Sequence, residues 1–171
     1  MKNNHLKDEL TKKIGVLMRR ETEVRILIPF LQGLYEEFGK EEILNVLEKT
    51  IKEIAETQGE ELSKEYGNNV DAFFDTLKFW TKDDALEIDI LEKSESKLSF
   101  NVTRCKYAEM YNALGISDIG AVLSCNRDAS LIKGFNPNAS LDRKKTIMSG
   151  SKCCTFRYNF KLTTLNKLEN K

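Results

Sequence analysis

The four cysteines are the most reactive side chains of this chain, and all lie in its second half: Cys105, Cys125, Cys153 and Cys154. There is no C-x-x-C pair, and the one histidine, His5, is near the N-terminus. Structural zinc sites usually draw on closely spaced cysteine and histidine pairs, and two adjacent cysteines chelate one ion poorly. We therefore expect no metal site, and we assign no cofactor.

A thiolate is activated by nearby positive charge. Arg127 lies two residues after Cys125, and Arg157 lies three residues after Cys154. A cysteine without a histidine base is also a common small core residue. The sequence therefore leaves catalysis and core packing open for each thiol.

Carboxylates and arginines are the other groups that could act on a small molecule. Cys125 and Asp128 are three residues apart on a predicted helix, so they should share one face, and Glu109 lies on the helix before it. Such a carboxylate is either a general base or partner of a cationic substrate, or an exposed helix charge. Arg143 and Arg157, on the last two predicted strands, either reach solvent or clamp a carboxylate.

Helices should occupy the first half of the chain. Apolar residues recur at helical spacing from Leu6 to Phe38, where Pro29 should end or kink the helix, and again over residues 40–66. A shorter third helix should begin at Asn69, a good N-cap, and its aromatic side should be core.

The second half reads as hairpin, helices, hairpin. "LEIDI" and "LSFNV" alternate as an antiparallel hairpin, and "YAEMYNALG" and "SDIGAVLSCNRDASLIKG" read as helices, the latter from Ser117 or Asp118 to Gly134. "SLDRKKTIM" and "CCTFRYNFK", joined by "SGSK", predict the second hairpin. The expected fold class is α+β, with a four-stranded antiparallel sheet and helices packed on it.

We expect one domain over residues 1–171. It should comprise a helical part over about 6–82, an α+β part over about 85–162 and a polar tail over about 163–171. The long N-terminal helices suggest a homodimer.

Composition narrows the function classes. Lys+Arg and Asp+Glu balance at 27 each, which argues against a nucleic-acid partner. No apolar run is long enough to span a membrane, and "MKNNHLKDELTKK" lacks the apolar core of a secretory signal. A cytoplasmic location with free thiols and a small-molecule substrate is the expectation.

Several motifs in order carry a family resemblance. "FNVTRCKYAEMY", "LSCNRD", "GFNP" and "TIMSG", together with the earlier "RRETEVRILIPFLQGLYEEFGKEE", closely resemble the L-2-amino-thiazoline-4-carboxylic acid hydrolase family over roughly residues 19–158. The resemblance implies hydrolysis of a cyclic isothiourea, 2-amino-thiazoline-4-carboxylate, to carbamoyl-cysteine on the way to L-cysteine. The family pattern falls on Cys105, Tyr107, Glu109, Cys125, Asp128, Asn136, Arg143, Thr146, Gly150, Cys154 and Arg157.

These positions divide into two predicted groups. The catalytic group is Cys125, Asp128, Cys154 and Glu109. The substrate-binding group is Cys105, Tyr107, Asn136, Arg143, Thr146 and Arg157. Two routes stay open: attack by a cysteine thiolate, with Cys125 the first choice and Cys154 the second, or attack by water that Asp128 or Glu109 activates.

The chain leaves the family pattern at its last strand. The family usually reads His-Cys-Asp-Phe-Arg where this chain reads "CCTFR", so Cys153 replaces the histidine and Thr155 the aspartate, and Lys144 stands where threonine is frequent. This departure predicts altered or lost activity. The alternative function is a non-catalytic ligand-binding or sensor module, which a broad similarity to vinyl-4-reductase-type domains also suggests.

Overall fold

A computed structural model describes residues 9–161 of the chain. The start of the first predicted helix at Leu6, as well as His5 and the predicted tail over 163–171, lie outside the described residues. The helices are α1 (Glu9–Phe38), α2 (Lys40–Tyr66), α3 (Val70–Thr76), α4 (Lys78–Thr81), α5 (Lys106–Ala113), α6 (Ser117–Gly120) and α7 (Asp128–Phe135). The strands are β1 (Leu86–Lys93), β2 (Lys97–Cys105), β3 (Ala139–Asp142) and β4 (Cys154–Phe160).

The two long helices occupy the predicted ranges, and α1 does not end at Pro29. Helix α1 continues through Pro29 to Phe38, and its helical angles are interrupted instead at Gly15 (φ 72°, ψ 173°). Pro29 is on the exposed side of α1, where solvent can hydrate the carbonyl that loses its helical donor. Ile26 and Phe30, beside it, are also exposed.

The predicted homodimer stays a prediction.

Helix α3 begins as its sequence predicts. The Asn69 side chain accepts a hydrogen bond from the Ala72 N–H (2.9 Å) and thereby caps the first turn. Val70, Phe73 and Leu77 are buried in the main core. Phe73 is fully buried, and its ring packs edge-on against those of Phe135 and Tyr158. Helix α3 is thereby fixed against α7 and the sheet.

The four strands form one antiparallel sheet in the order β1-β2-β4-β3, as the two predicted hairpins require. The hairpins join because β2 pairs with β4, with Phe100 opposite Phe156 and Val102 opposite Cys154. These apolar residues form the inner face, which packs against the helices. The polar residues that alternate with them form the outer face.

The second hairpin is shorter than its sequence pattern suggests. Strand β3 ends at Asp142 rather than near Met148, and the chain then runs alongside β4 before a 3₁₀ turn at Ile147–Ser149. The Thr155 hydroxyl accepts the N–H groups of both Lys144 and Lys145. A side chain therefore takes up backbone donors that a longer strand β3 would have used in the sheet.

The predicted helix from Ser117 to Gly134 is divided. A π-helical segment covers Ala121–Cys125, where the N–H of Asn126 donates to the carbonyl of Ala121 (2.9 Å), and α7 starts at Asp128. Such local π segments are frequent at functional sites because they re-aim side chains. Here the segment lies directly before Asp128 and carries Cys125.

Helix α7 ends at Phe135, one residue after the predicted end, and Gly134 has a packing role. A Cβ at Gly134 would lie 1.9 Å from the Glu56 carbonyl oxygen, and one at Gly59 would lie 2.1 Å from the Leu131 carbonyl oxygen. Helices α2 and α7 therefore cross with their backbones in contact. This crossing fixes where α7, and Asp128 at its start, meets the sheet.

Along residues 9–161 no helix has the length and apolar character that a membrane crossing requires.

Candidate functional site

A cavity of about 540 Å³ lies between the helices and the inner face of the sheet. Side chains from α1, α2, α4, β1, β2, the π segment, α7 and β4 line it. Because the lining comes from nearly every element, the cavity is a product of the whole fold.

Asp128 and Arg143 form an ion pair on the cavity wall. The Arg143 Nη1 donates to Asp128 Oδ2, and Nη2 donates to the Cys125 carbonyl oxygen (2.6 Å). The Arg143 guanidinium also lies over the Phe156 ring, 5.1 Å from its centroid. These contacts connect the π segment, the start of α7 and the chain after β3.

The Nε of Arg143 is buried and has no hydrogen-bond partner within the described part of the chain. A buried donor left unpaired costs free energy, so its retention points to an acceptor supplied by a ligand or water. Asp128 keeps 22% of its side-chain surface accessible, and Arg143 keeps 12%. Both groups can therefore reach a molecule in the cavity.

The charge state of Asp128 suits a base. Burial raises the pKa of Asp128 to about 6, although the positive charges of Arg143 and Arg20 and the hydrogen bond from Arg143 act in the opposite direction. A carboxylate with a pKa near 6 is roughly nine-tenths ionised at pH 7 and still accepts a proton readily. Asp128 is thus poised to exchange a proton at neutral pH.

The cysteine thiols near Asp128, unlike its carboxyl group, are not ionised at neutral pH. Burial raises the pKa of Cys125 to about 12 and that of Cys105 to about 11, and it also raises the pKa of Cys154. A thiol with a pKa near 12 is ionised in only about one molecule in 10⁵ at pH 7. These cysteines are therefore protonated in the free protein.

Two of the thiols also have structural contacts. Cys105 ends β2 and caps α5, since its Sγ accepts the Ala108 N–H (3.4 Å). The Sγ of Cys154 accepts the Ile147 N–H (3.2 Å) and so holds the loop before β4. Both contacts give these cysteines a reason to be present apart from catalysis.

The structure brings six of the ten predicted site residues to this cavity: Cys105, Tyr107, Cys125, Asp128, Arg143 and Cys154. Tyr107 donates its hydroxyl to the Trp80 carbonyl oxygen (3.1 Å), which ties α5 to α4. Strict alternation along β2 would put Cys105 on the outer face, opposite to Phe100 and Val102. It reaches the cavity because a register shift between Glu87 and Ile88 breaks that alternation at the strand end.

The other four predicted site residues lie elsewhere. Glu109 is exposed and is bound by Arg104 (2.8 Å), whose hydrogen bond lowers the pKa of Glu109. The Asn136 side chain donates to the Asn68 carbonyl oxygen (2.7 Å). The Thr146 hydroxyl accepts the Ser149 N–H (3.2 Å) and caps the 3₁₀ turn.

Arg157 is the fourth residue away from the cavity, and it belongs to the outer face of the sheet. Its Nη1 donates to the Phe100 and Phe156 carbonyl oxygens (both 2.8 Å), and Nη2 donates to the Asn101 side chain (2.9 Å). These four residues have local structural partners. Their predicted roles at the site have no contact with the cavity to support them.

Sequence reasoning missed Arg20, a cavity residue of α1 that is only 7% exposed. It pairs with Glu23, but its Nε is buried and unpartnered among the residues that the structure covers. Its spacing contained a signal: Arg20 stands in register with the buried Val24 and Leu31 on the apolar side of α1. An arginine at such a position is a buried charge, and here it faces the same cavity as Asp128.

The departures from the family pattern do not touch the cavity. Neither Cys153 nor Thr155 is among its lining residues. Thr155 instead binds the two backbone N–H groups after β3.

Within residues 9–161, no group of three or more histidine, cysteine, aspartate or glutamate side chains could hold a metal ion.

Comparison with known proteins gives one family. The sequence model of the L-2-amino-thiazoline-4-carboxylic acid hydrolase family matches residues 19–158. This range includes every cavity residue from Arg19 to Phe156. A search of curated proteins finds no match.

Solved structures offer distant likenesses. One is the phenol-responsive sensory domain of the transcription activator PoxR with phenol (TM-score 0.48, 9% identity, covering 78% of this chain and 72% of that one). Another is a trafficking protein particle complex subunit 3 from Naegleria fowleri covalently bound to palmitic acid (TM-score 0.47, 13% identity, covering 85% of this chain and 96% of that one).

Proposed function

The chain belongs to the L-2-amino-thiazoline-4-carboxylic acid hydrolase family, and from this premise we propose that it opens a cyclic isothiourea by carboxylate-activated water. The observation that carries the proposal is the Asp128–Arg143 pair on the cavity wall. It joins a carboxylate of raised pKa to an arginine with a buried, unpartnered donor.

The substrate chemistry fits these groups. 2-Amino-thiazoline-4-carboxylate has a carboxylate on one side of its ring and an amidine-like carbon between sulfur and nitrogen on the other. Arg20 and the Nε of Arg143 supply unpaired donors for the carboxylate. Asp128 faces the same space and positions a water molecule for the amidine carbon.

Water adds to the amidine carbon, and Asp128 accepts a proton from it. Asp128 passes that proton to the ring nitrogen. The tetrahedral adduct then forms a carbonyl as one ring bond to that carbon breaks, and the remaining water proton ends on the leaving atom. The sum is substrate plus water giving carbamoyl-cysteine, with no co-reactant needed.

The protonation states favour this route over a thiolate. At pH 7 Asp128 is mostly ionised, whereas Cys125 is almost entirely a thiol, since their pKa values are about 6 and about 12. In this route the three thiols of Cys125, Cys105 and Cys154 form part of the cavity wall near Asp128 and exclude bulk water from it. Arg143 holds the Asp128 carboxylate in place through its Nη1.

The test is incubation of the purified protein with 2-amino-thiazoline-4-carboxylate in ¹⁸O-water, with product identification by mass spectrometry. We expect repeated turnover, a ring-opened product and one ¹⁸O in its new carbonyl group. Binding without turnover would contradict the proposal.

A second candidate, a non-catalytic small-ligand module, has one observation in its favour. Most of the cavity lining is apolar, as is usual where a protein holds a small molecule. The turnover experiment separates the two, since a binding module would retain its ligand unchanged.

A further inference from the structure

The cavity is much larger than the polar site within it. Drug-sized ligands occupy pockets of roughly 300–1,000 Å³, and this cavity of about 540 Å³ lies within that range. A small ring with one carboxylate and one amino group would fill only the part near Asp128, Arg143 and Arg20. The rest of the cavity therefore has room for a further part of the ligand.

Most of the remaining wall is apolar, although charged side chains of α1 and α2, among them Lys12, Glu61 and Lys64, also line the cavity. The apolar part is formed by α2, the α3–α4 region, the inner face of β1, β2 and β4, and α7, through Leu62, Leu77, Phe79, Trp80, Ile88, Val102 and Leu131. Phe79, Trp80 and Ile88 are only half-buried although they line the cavity, so part of their surface has no protein partner. An apolar wall also offers water few hydrogen bonds, which makes water a poor permanent filling.

The aromatic pair of α4 is followed by a strained segment. Asp83 and Asp84, in the turn after α4, both have positive φ (58° and 55°). Residues other than glycine rarely adopt this conformation, although aspartate does so more readily than most, and two in succession are unusual. The strained turn connects α4, which carries Phe79 and Trp80, directly to β1 of the cavity wall.

From this arrangement, and resting on the function proposed above, we propose that the natural substrate is a cyclic amidine with an apolar substituent. The polar head lies at Asp128, Arg143 and Arg20, while the substituent lies between α4 and the inner face of the sheet. The polar end determines the reaction, and the apolar end determines which amidine is used.

A homologous substrate series tests this. It comprises 2-amino-thiazoline-4-carboxylate and analogues that carry a methyl, propyl or pentyl group on the saturated ring carbon bonded to sulfur, not on the amidine carbon. Because each buried methylene strengthens binding about fourfold, kcat/KM should rise by about that factor per methylene until the cavity is full. Binding is followed separately by the fluorescence of Trp80, which lines the cavity and is the only tryptophan of the chain.

A matched pair of variants locates the substituent. Ile88→Phe fills part of the apolar wall and should cut the kcat/KM of the pentyl analogue about tenfold relative to that of the unsubstituted ring in the same variant. Ile90→Phe is the control, since it introduces the same phenyl side chain two residues further along β1. Ile90 is 46% exposed and does not line the cavity, so this variant should turn over the pentyl analogue and the unsubstituted substrate as the wild type does.

The outcomes separate the two proposals. Turnover that increases with chain length and is blocked at Ile88 supports both. Turnover of the unsubstituted ring without gain from the alkyl groups overturns the apolar substituent and leaves the hydrolase proposal standing. Length-dependent binding in the Trp80 signal with no turnover of any analogue overturns the hydrolase proposal, and the substrate class with it.

Discussion

Two arginines of the last hairpin occupy opposite faces of the same sheet. Arg143 points to the inner side, where it pairs with Asp128 and keeps one buried donor unpaired. Arg157 lies on the outer side and binds the Phe100 and Phe156 carbonyl oxygens and Asn101. An arginine bound to backbone carbonyls and a neighbouring side chain stabilises the fold, whereas a buried arginine with an unpaired donor is available to a ligand.

The carboxylate partner of the inner arginine should give the largest effect. Asp128→Asn removes the proposed base but keeps an acceptor for Arg143, and we expect kcat to fall by about 10³-fold, within the usual range for general-base catalysis. Steady-state kinetics of ring opening measure this. Asp142→Asn, at a largely exposed carboxylate of β3, is the control and should be within twofold of wild type. A similar loss in both variants would contradict a special role for Asp128.

Substituting each arginine tests the comparison directly. Arg143→Ala should lower kcat/KM by about 10²-fold, because substrate and Asp128 both lose a charged donor. Arg157→Ala should leave kcat within about threefold but lower the free energy of unfolding by about 2 kcal/mol, as expected for lost hydrogen bonds from a charged group. Urea denaturation and kinetics on the same samples separate the two effects. The account fails if Arg157→Ala is the variant that loses activity.

The thiols on the inner side should be far less sensitive. Cys125→Ala removes the best candidate nucleophile, yet we expect kcat within about fivefold of wild type, since the thiol with a pKa of about 12 is protonated. Cys153→Ala, away from the cavity lining, is the matched control. Loss of turnover in Cys125→Ala alone would restore the thiolate route.

Restoring the family residues should have the smallest effect. Cys153→His and Thr155→Asp together return the family pattern at positions that do not line the cavity, and an aspartate can still accept the N–H groups of Lys144 and Lys145. We expect kcat/KM within about twofold of wild type. A tenfold gain would show that these positions govern the site from outside the cavity.

The sequence was informative where periodicity is decisive. It predicts the α+β class, the range of α2, the Asn69 cap and both hairpins, because apolar spacing and turn residues determine these locally. It did not show that α1 continues past Pro29, which depends on the exposure of that residue, or that the helix from Ser117 is divided, since no local pattern reveals a π segment. It placed the end of α7 within one residue of the observed Phe135, but it did not show that Gly134 is required by contact with α2.

The candidate site could be predicted only in part for the same reason. Cys125, Asp128 and Arg143 could be selected from the sequence because they stand at positions of the family pattern. That they lie together in space depends on how α7 and the chain after β3 pack against each other. Strand alternation cannot assign Arg143, because β3 ends one residue before it. Arg20 lies more than 100 residues from Asp128 in the chain, so only tertiary packing brings both to one cavity.

The pH dependence of kcat/KM for ring opening, corrected for the separately titrated substrate, tests the central claim most directly. Asp128 must be ionised to accept a proton, so activity should rise tenfold per pH unit at low pH. It should reach half its maximum near pH 6 and then level off. In Arg143→Ala the midpoint should move upward, because the arginine charge lowers the pKa of Asp128. A rate that is still rising above pH 9 would instead indicate a thiolate nucleophile and contradict the account.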